Sequence, residues 1–405
     1  LLLLREVDRR LDLTRRAAEL LPDGRDPGRV THGGLAMLRQ RLFALAHGYE
    51  DLNDHGDLRR DTLLQTAAGG DRELASAPTL CRMENRADRR CAVGLNNLLV
   101  DLFIEGHDAP PEKVVLDFDA TDDPAHGHQE GRAFHGYYDS YCFLPLYVFC
   151  GDRPLLAWLR PSDTDGARGA WAALRWLVKR LRAAWPEVRI ILRADSGFCR
   201  WRMLRWCEGN GVDYIVGLPK NPRLNSLSSH LMEAAEALHE NRGGKVRLFG
   251  WMRYAAGTWD KGRWVIAKAE HGEKGANPRY LVTSLCGGAE DLYDRVYCAR
   301  GDMENRIKEQ QLDLFAGRTS CHRLWPNPLR IMFSTLAYAL VEALRRLALA
   351  GTDWARAQAG SIRLRLLKVG AVVRRNTRRI VVHLSSSYPS RKVFEASHAK
   401  LRAPG

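Results

Sequence analysis

The sequence lacks the marks of a secreted, zinc-bound or membrane-spanning protein. Its nine cysteines are scattered between Cys81 and Cys321, odd in number and never spaced C-x-x-C, so neither a disulfide framework nor a zinc ribbon is indicated and a reducing cytoplasm is expected. His126, His128 and His135 have no cysteine or helical HExxH beside them, a pattern of loop histidines or phosphate contacts. Long hydrophobic runs are missing too. The longest, Ile331 to Val341, is broken by Glu342, Arg345 and Arg346, so no membrane span is expected. Leu1 to Leu4 are too few for a signal peptide, and because the first residue is not Met the sequence is read as starting inside its gene product. Internal repeats and low-complexity segments are absent. Acidic residues are in deficit: 48 Asp and Glu against 62 Lys and Arg leave a formal charge of +14, which favours polyanionic partners through counterion release.

What is present is a 405-residue chain with 45% hydrophobic residues, enough for a large core and two or three structural units. Its most informative stretch is Val114-Val115-Leu116-Asp117-Phe118-Asp119-Ala120-Thr121. As a strand, it places Val114, Leu116 and Phe118 on one face and Val115, Asp117 and Asp119 on the other. Carboxylates on so apolar a strand are costly unless a cation, a proton or hydrogen bonds compensate them, which makes Asp119 a site candidate. The alternative is that Asp117 or Asp119 only caps the turn at Thr121 to Pro124. Val188 to Phe198 repeats the pattern, an apolar run ending at Asp195 before a Gly turn. Two strands that each end on an Asp imply one shared site, because ligands of open α/β sheets gather outside the strands' carboxyl ends.

Clustered carboxylates without Cys or His suit Mg²⁺ or Mn²⁺, and two such ions about 3.5–4 Å apart stabilise both the attacking and the leaving oxygen of a phosphodiester. A third acid is then needed. At about 100° per residue, Tyr297, Arg300, Glu304, Lys308 and Gln311 share one helical stripe, next to an apolar stripe of Val296, Met303, Ile307 and Leu314. Glu309 points elsewhere, so Glu304 is the candidate. The competing reading is a solvated face with an Arg300–Glu304 pair.

These residues carry a resemblance. Asp119-x-Thr121, Ala194-Asp195-Ser196-Gly197-Phe198 and Tyr297-x2-Arg300-x3-Glu304 resemble the DDE transposases of insertion sequences, in the branch with a Tyr-Arg-Glu-Lys signature. Asp119-Ala-Thr-Asp-Asp-Pro, Gly127-His-Gln-Glu-Gly, Ala316-Gly-Arg-Thr-Ser-Cys-His and Leu366-Leu-Lys-Val-Gly-Ala are similar to phrases of the group named after insertion sequence thirteen-eighty. The resemblance implies a mixed α/β fold with a ribonuclease-H-like core, and two Mg²⁺ (or Mn²⁺) held by Asp119, Asp195 and Glu304. It also implies phosphate contacts from Tyr297, Arg300 and Lys308. The activity implied is binding of terminal inverted repeats, cleavage there and joining of the freed 3′-hydroxyls to target DNA, through hairpin ends. The implied assembly is a homodimer cutting in trans, nucleoid-associated in a bacterial cytoplasm. One position departs: the signature's Lys aligns with Gln311, so either Lys308 supplies that charge or a phosphate contact is lost.

The rest of the chain is expected to be laid out as follows. Residues 1–110 read as helices with basic faces, a DNA-end-binding region by resemblance or else a cap on the core. After Pro110-Pro111, residues 111–222 hold the first part of the core. It comprises a meander of the Asp119 strand with Tyr137 to Phe149 and Pro154 to Arg160, a helix Ala170 to Ala184, the Asp195 strand, a helix Trp201 to Glu208 and a strand Tyr214 to Leu218. Lys220, at the end of that strand, is either a phosphate contact or a loop lysine. Residues 223–288 read as an inserted β subdomain whose Trp251, Trp259 and Trp264 either stack on unpaired bases or pack a small sheet. Residues 289–350 complete the core with the Glu304 helix, a loop offering Arg318, Ser320 and Arg323 to phosphates, and a helix Pro328 to Ala350. Residues 351–405 form a basic region able to lie along DNA. The rival functions are a DNA-binding transposase relic without catalysis and a nuclease without strand transfer. A two-carboxylate glycosidase fits poorly, since the acids sit beside cations rather than an aromatic sugar groove.

Overall fold

In the computed structural model, which describes residues 1–403, the run around Asp119 forms strand β1 (Lys113–Ala120). Both of its faces are covered. Val114, Leu116 and Phe118 are buried in one core, while Val115 packs with Ile191 and Ile215 in another on the opposite face, which is why the strand reads as an apolar run. Three short strands follow, β2 (Asp123–Pro124), β3 (Ala133–His135) and β4 (Ser140–Phe143), forming a separate sheet of order β2-β4-β3. The chain then returns as β5 (Leu146–Cys150) and β6 (Arg153–Trp158), an antiparallel meander on β1. The single strand predicted over Tyr137 to Phe149 is therefore two strands in different sheets. They separate at Leu144-Pro145, where proline has no N–H for a ladder.

Helix Ala170–Ala184 leads to β7 (Arg189–Ala194), parallel to β1, and helix Trp201–Gly209 leads to β8 (Val212–Leu218), parallel to β7. The order β6-β5-β1-β7-β8, antiparallel on one side of β1 and parallel on the other, is the ribonuclease-H-like arrangement. Two helices, Pro222–Leu227 and Ser229–Arg242, come next, then β9 (Val246–Tyr254), β10 (Arg263–Gly272), β11 (Gly275–Ala276) and β12 (Arg279–Thr283). The inserted strands join the core sheet: β12 pairs with β8, β10 with β12, and β9 and β11 with β10, giving nine strands among the described residues. The free edge that β8 would present is thereby covered.

The helices between Leu2 and Glu105 pack around helix Pro326–Leu344, whose Ile331, Phe333 and Leu336 are buried with Leu4, Leu42 and Phe43. Phe149 of β5 lies edge-on to Tyr338 at 6.0 Å, so the helical layer and the sheet share one core. A hairpin of β13 (Ala371–Arg375) and β14 (Ile380–Leu384) and a helix Arg391–Arg402 close the described chain. Positions 404 and 405 of the expected basic C-terminal region lie outside the described residues. Among the described residues, no helix is long and apolar enough to cross a membrane.

Candidate active site

The register of β1 against β7 pairs Phe118 with Ala194, so Asp119 and Asp195 follow at the carboxyl ends of neighbouring strands. Asp195 turns the chain: its Oδ1 accepts the N–H of Gly197 at 2.8 Å and caps the short 3₁₀ turn Ser196–Phe198. On the next strand Gly217 makes room. A Cβ there would lie 2.7 Å from the backbone nitrogen of Ser196 and 2.9 Å from the Tyr297 hydroxyl, closer than packed atoms approach. Glycine at this point lets the Asp195 turn and Tyr297 meet.

Glu304 arrives on helix Arg300–Asp313, after a π-helical turn over Leu292–Tyr297. Arg193 fixes where that helix starts. Its guanidinium pairs through both nitrogen arms with the buried Asp117 carboxylate, with Nη2 to Oδ2 at 2.7 Å, and donates to the carbonyls of Val296 and Ala299. Met303 and Ile307 bury the helix's apolar side. Arg300 then reaches back across the site, 3.5 Å from Asp119 through Nη1 and paired through Nη2 with Glu304.

Asp119 and Glu304 thus share one arginine, and the charge of Asp195 acts on both Asp119 and Arg300. Burial pushes Asp119 up to about 7 against the pull of Arg300, and the charges of Asp195 and Glu304 push the same way. Tyr297 is also raised by burial, with Arg300 opposing and Asp195 adding. Among the described residues no group of three or more His, Cys, Asp or Glu side chains is arranged to hold a metal ion. The donor set nonetheless suits a hard divalent cation: it is all carboxylate oxygen and mutually repelling, and Arg300 is the cation that pairs with two of the three acids among the described residues.

The other predicted residues fall into distinct roles. Lys308 is exposed. Gln311, in the signature Lys position, donates from Nε2 to the Asp122 carbonyl at 3.2 Å, so it ties the helix to the turn after β1. Arg318 is ion-paired with Glu50 at 3.0 Å. Ser320 accepts a bond from Arg330 at 2.7 Å. Lys220 lies 3.4 Å from Asn277 at the end of the sheet that carries the acids, with its pKa lowered by desolvation and by the charges of Arg279 and Lys268. Trp251 and Trp264 are half-exposed and edge-on at 6.1 Å with Arg253 over Trp264, whereas Trp259 packs on Tyr254. Glu309 is a structural residue, buried under Arg306, Arg345 and the N–H of Ala359.

Two segments quoted for the resemblance turn out to hold each other. His126 Nε2 lies 2.9 Å from the Gly317 carbonyl, Gln129 Nε2 donates to the Cys321 carbonyl at 2.9 Å, and the Thr319 hydroxyl donates to Asp123 at 2.6 Å. Sequence reasoning missed this lock, the Asp117–Arg193 bracket, and an open aromatic face on the β3–β4 hairpin. Only the last left a signal, the aromatic-rich run from Phe134 to Tyr141.

A profile of the family described as transposase DDE domain group 1 matches residues 1–404. Among solved structures, the chain is similar to a piggyBac transposase in a synaptic complex with hairpin DNA, at 13% identity over 90% of this chain and 78% of that one, with a TM-score of 0.45. A search of curated proteins finds no match.

Proposed function

The chain belongs to the transposase DDE domain group 1 family, and from that premise we propose a metal-dependent DNA transposase of an insertion sequence, of the thirteen-eighty group. It binds terminal inverted repeats, cuts at them and joins the freed 3′-hydroxyls to target DNA. The observation that supports this most is the sharing of Arg300 by Asp119 and Glu304, far apart in sequence, with Asp195 on the strand beside Asp119 and its charge acting on it. These three carboxylates would hold two Mg²⁺ or Mn²⁺. When bound, such ions activate a water or 3′-hydroxyl and stabilise the leaving oxygen.

Arg300 serves two states in this reading. Without cations it compensates Asp119 and Glu304; with DNA present it is freed to contact a phosphate beside Tyr297 and Lys308. Lys220 and Arg279 extend the positive surface along the same end of the sheet. Exposed Arg374, Arg378 and Arg379 on the β13–β14 hairpin add a second basic surface. The protein acts as a homodimer at paired DNA ends, in the bacterial cytoplasm with the nucleoid.

The test is cleavage of a labelled terminal repeat. Wild type with Mg²⁺ should release a 3′-hydroxyl end and then transfer it to a plasmid target; cleavage without transfer would make it a nuclease. A DNA-binding relic is the second reading, favoured by the ion pairs that already occupy Asp119 and Glu304. Repeat binding with no cleavage in Mg²⁺ or Mn²⁺ would establish the relic.

A further inference from the structure

The β3–β4 hairpin has one face the fold uses and one it does not. On the face opposite Phe134 and Tyr141, Cys142 is fully buried, and the Ser162 hydroxyl donates to the Ala133 carbonyl at 2.7 Å. Outward, Phe134 and Tyr141 stand directly opposite each other across the ladder, edge-on at 5.6 Å, and are 52% and 53% exposed. Tyr137, at the turn, is 85% exposed. Single exposed apolar side chains are ordinary, but a facing pair of large exposed rings with a third on the adjoining turn calls for an occupant.

The charge and place of the patch narrow that occupant. The Arg132 guanidinium lies over the Tyr141 ring at 4.7 Å, steadied by His128 Nδ1 at 2.8 Å and by the Gly127 carbonyl, and gives the aromatic face a positive rim. Tyr138, whose ring is 5.0 Å from that of Tyr137, is pushed up to about 12 by burial and by the charges of Asp122 and Asp119. Strand β2 follows shortly after Asp119 and pairs with β4, which sets the base of the hairpin beside the carboxyl end of β1. A duplex presents phosphates and groove edges, which gain little from an aromatic face, whereas an unpaired base presents a ring of its own.

We propose that Phe134, Tyr137 and Tyr141, flanked by Arg132, form a stacking platform for unpaired bases of the DNA strand that enters the Asp119, Asp195 and Glu304 cluster. The platform rests on the transposase reading above and assigns it a substrate feature: the strand end is held unpaired at the cut. Stacking is tolerant of sequence, so the platform acts on any base and leaves recognition of the repeat to other contacts.

The test uses terminal-repeat DNA in Ca²⁺, either fully paired or with three unpaired nucleotides at the end and 2-aminopurine among them. Wild type should change the fluorescence of the unpaired 2-aminopurine and prefer the unpaired end. The double variant Tyr137→Ala, Tyr141→Ala should lose about tenfold in affinity for the unpaired end and stay within about twofold on paired DNA. Tyr137→Phe, Tyr141→Phe should behave as wild type. These side chains point outward, and an unchanged melting temperature checks that the variants fold. Equal affinity loss on both DNAs, or no fluorescence change with wild type, overturns the platform alone. Loss of a dimer in the alanine variant with DNA preference unchanged overturns it in favour of a surface between two copies. No binding of either DNA by wild type overturns the platform and the transposase reading together.

Discussion

Asp117 and Asp119 lie two residues apart on one face of one strand, burial raises both carboxyls and each meets an arginine, yet the two differ in how fully that arginine pairs with them. Asp117 accepts both arms of Arg193, whose other bonds go to the carbonyls of Val296 and Ala299. Every charge there has a partner. Asp119 has Arg300 at 3.5 Å, shared with Glu304, and is raised to about 7 by burial and by neighbouring acids. The same contrast recurs on one helix, where Glu309 is enclosed by Arg306 and Arg345 while Glu304 stays partly open. A completed ion pair acts as a bracket; a cluster of acids left short of positive charge is the place where a cation and an anionic substrate find use.

The largest effect expected from this contrast is on cleavage. Asp119→Ala, Asp195→Ala and Glu304→Ala should each cut DNA ends about a thousandfold more slowly or worse, as loss of several kcal/mol of metal-derived stabilisation requires. Gel-shift affinity should stay near that of wild type. Comparable cleavage by any of the three would erase the distinction between bracket and site.

Next comes stability. Asp117→Ala leaves Arg193 buried without its partner and should cost about 3–5 kcal/mol in urea unfolding, whereas Asp119→Asn should cost nothing and is expected to stabilise. A third test concerns Asp123, raised to about 7 by burial and by Asp122, against the Thr319 hydroxyl bond. Its folded pKa lies above the unfolded value, so the folded chain binds the extra proton and stability falls as pH rises from about 4 to about 7. Asp123→Asn should match wild type near pH 4 and exceed it by on the order of 4 kcal/mol above pH 7. A gain independent of pH would contradict the assignment. The smallest effect is expected at Gln311. Gln311→Lys adds a cation on the stripe of Arg300 and should steepen the salt dependence of DNA binding by about 0.9 in log–log slope; no change would mean that the position does not face DNA.

Much of the frame was legible in the sequence because it is written in local patterns. β1, β7 and β8 are apolar runs, helix Ala170–Ala184 carries a strong apolar stripe, and Arg300 and Glu304 pair one turn apart on their helix, whereas Tyr297 precedes that helix in a π-helical turn and is not on its wheel. The hidden parts depend on distant partners. The Asp117–Arg193 pair exists only once β1 and β7 are in register, and the bond from Gln311 to the Asp122 carbonyl joins residues far apart in sequence. Helix Ser229–Arg242 escaped because Ala235 is its one buried residue, which leaves no apolar period to detect. The strand predicted over Tyr137 to Phe149 ran together because apolar residues continue through Pro145, and that merger concealed the aromatic hairpin.

The most direct measurement is anomalous diffraction from crystals grown with Mn²⁺ and a terminal-repeat DNA end. Manganese is expected among the carboxylates of Asp119, Asp195 and Glu304, with Arg300 released from them. Manganese elsewhere in a complex that still cleaves, with Arg300 holding Asp119 and Glu304 as before, would contradict that assignment.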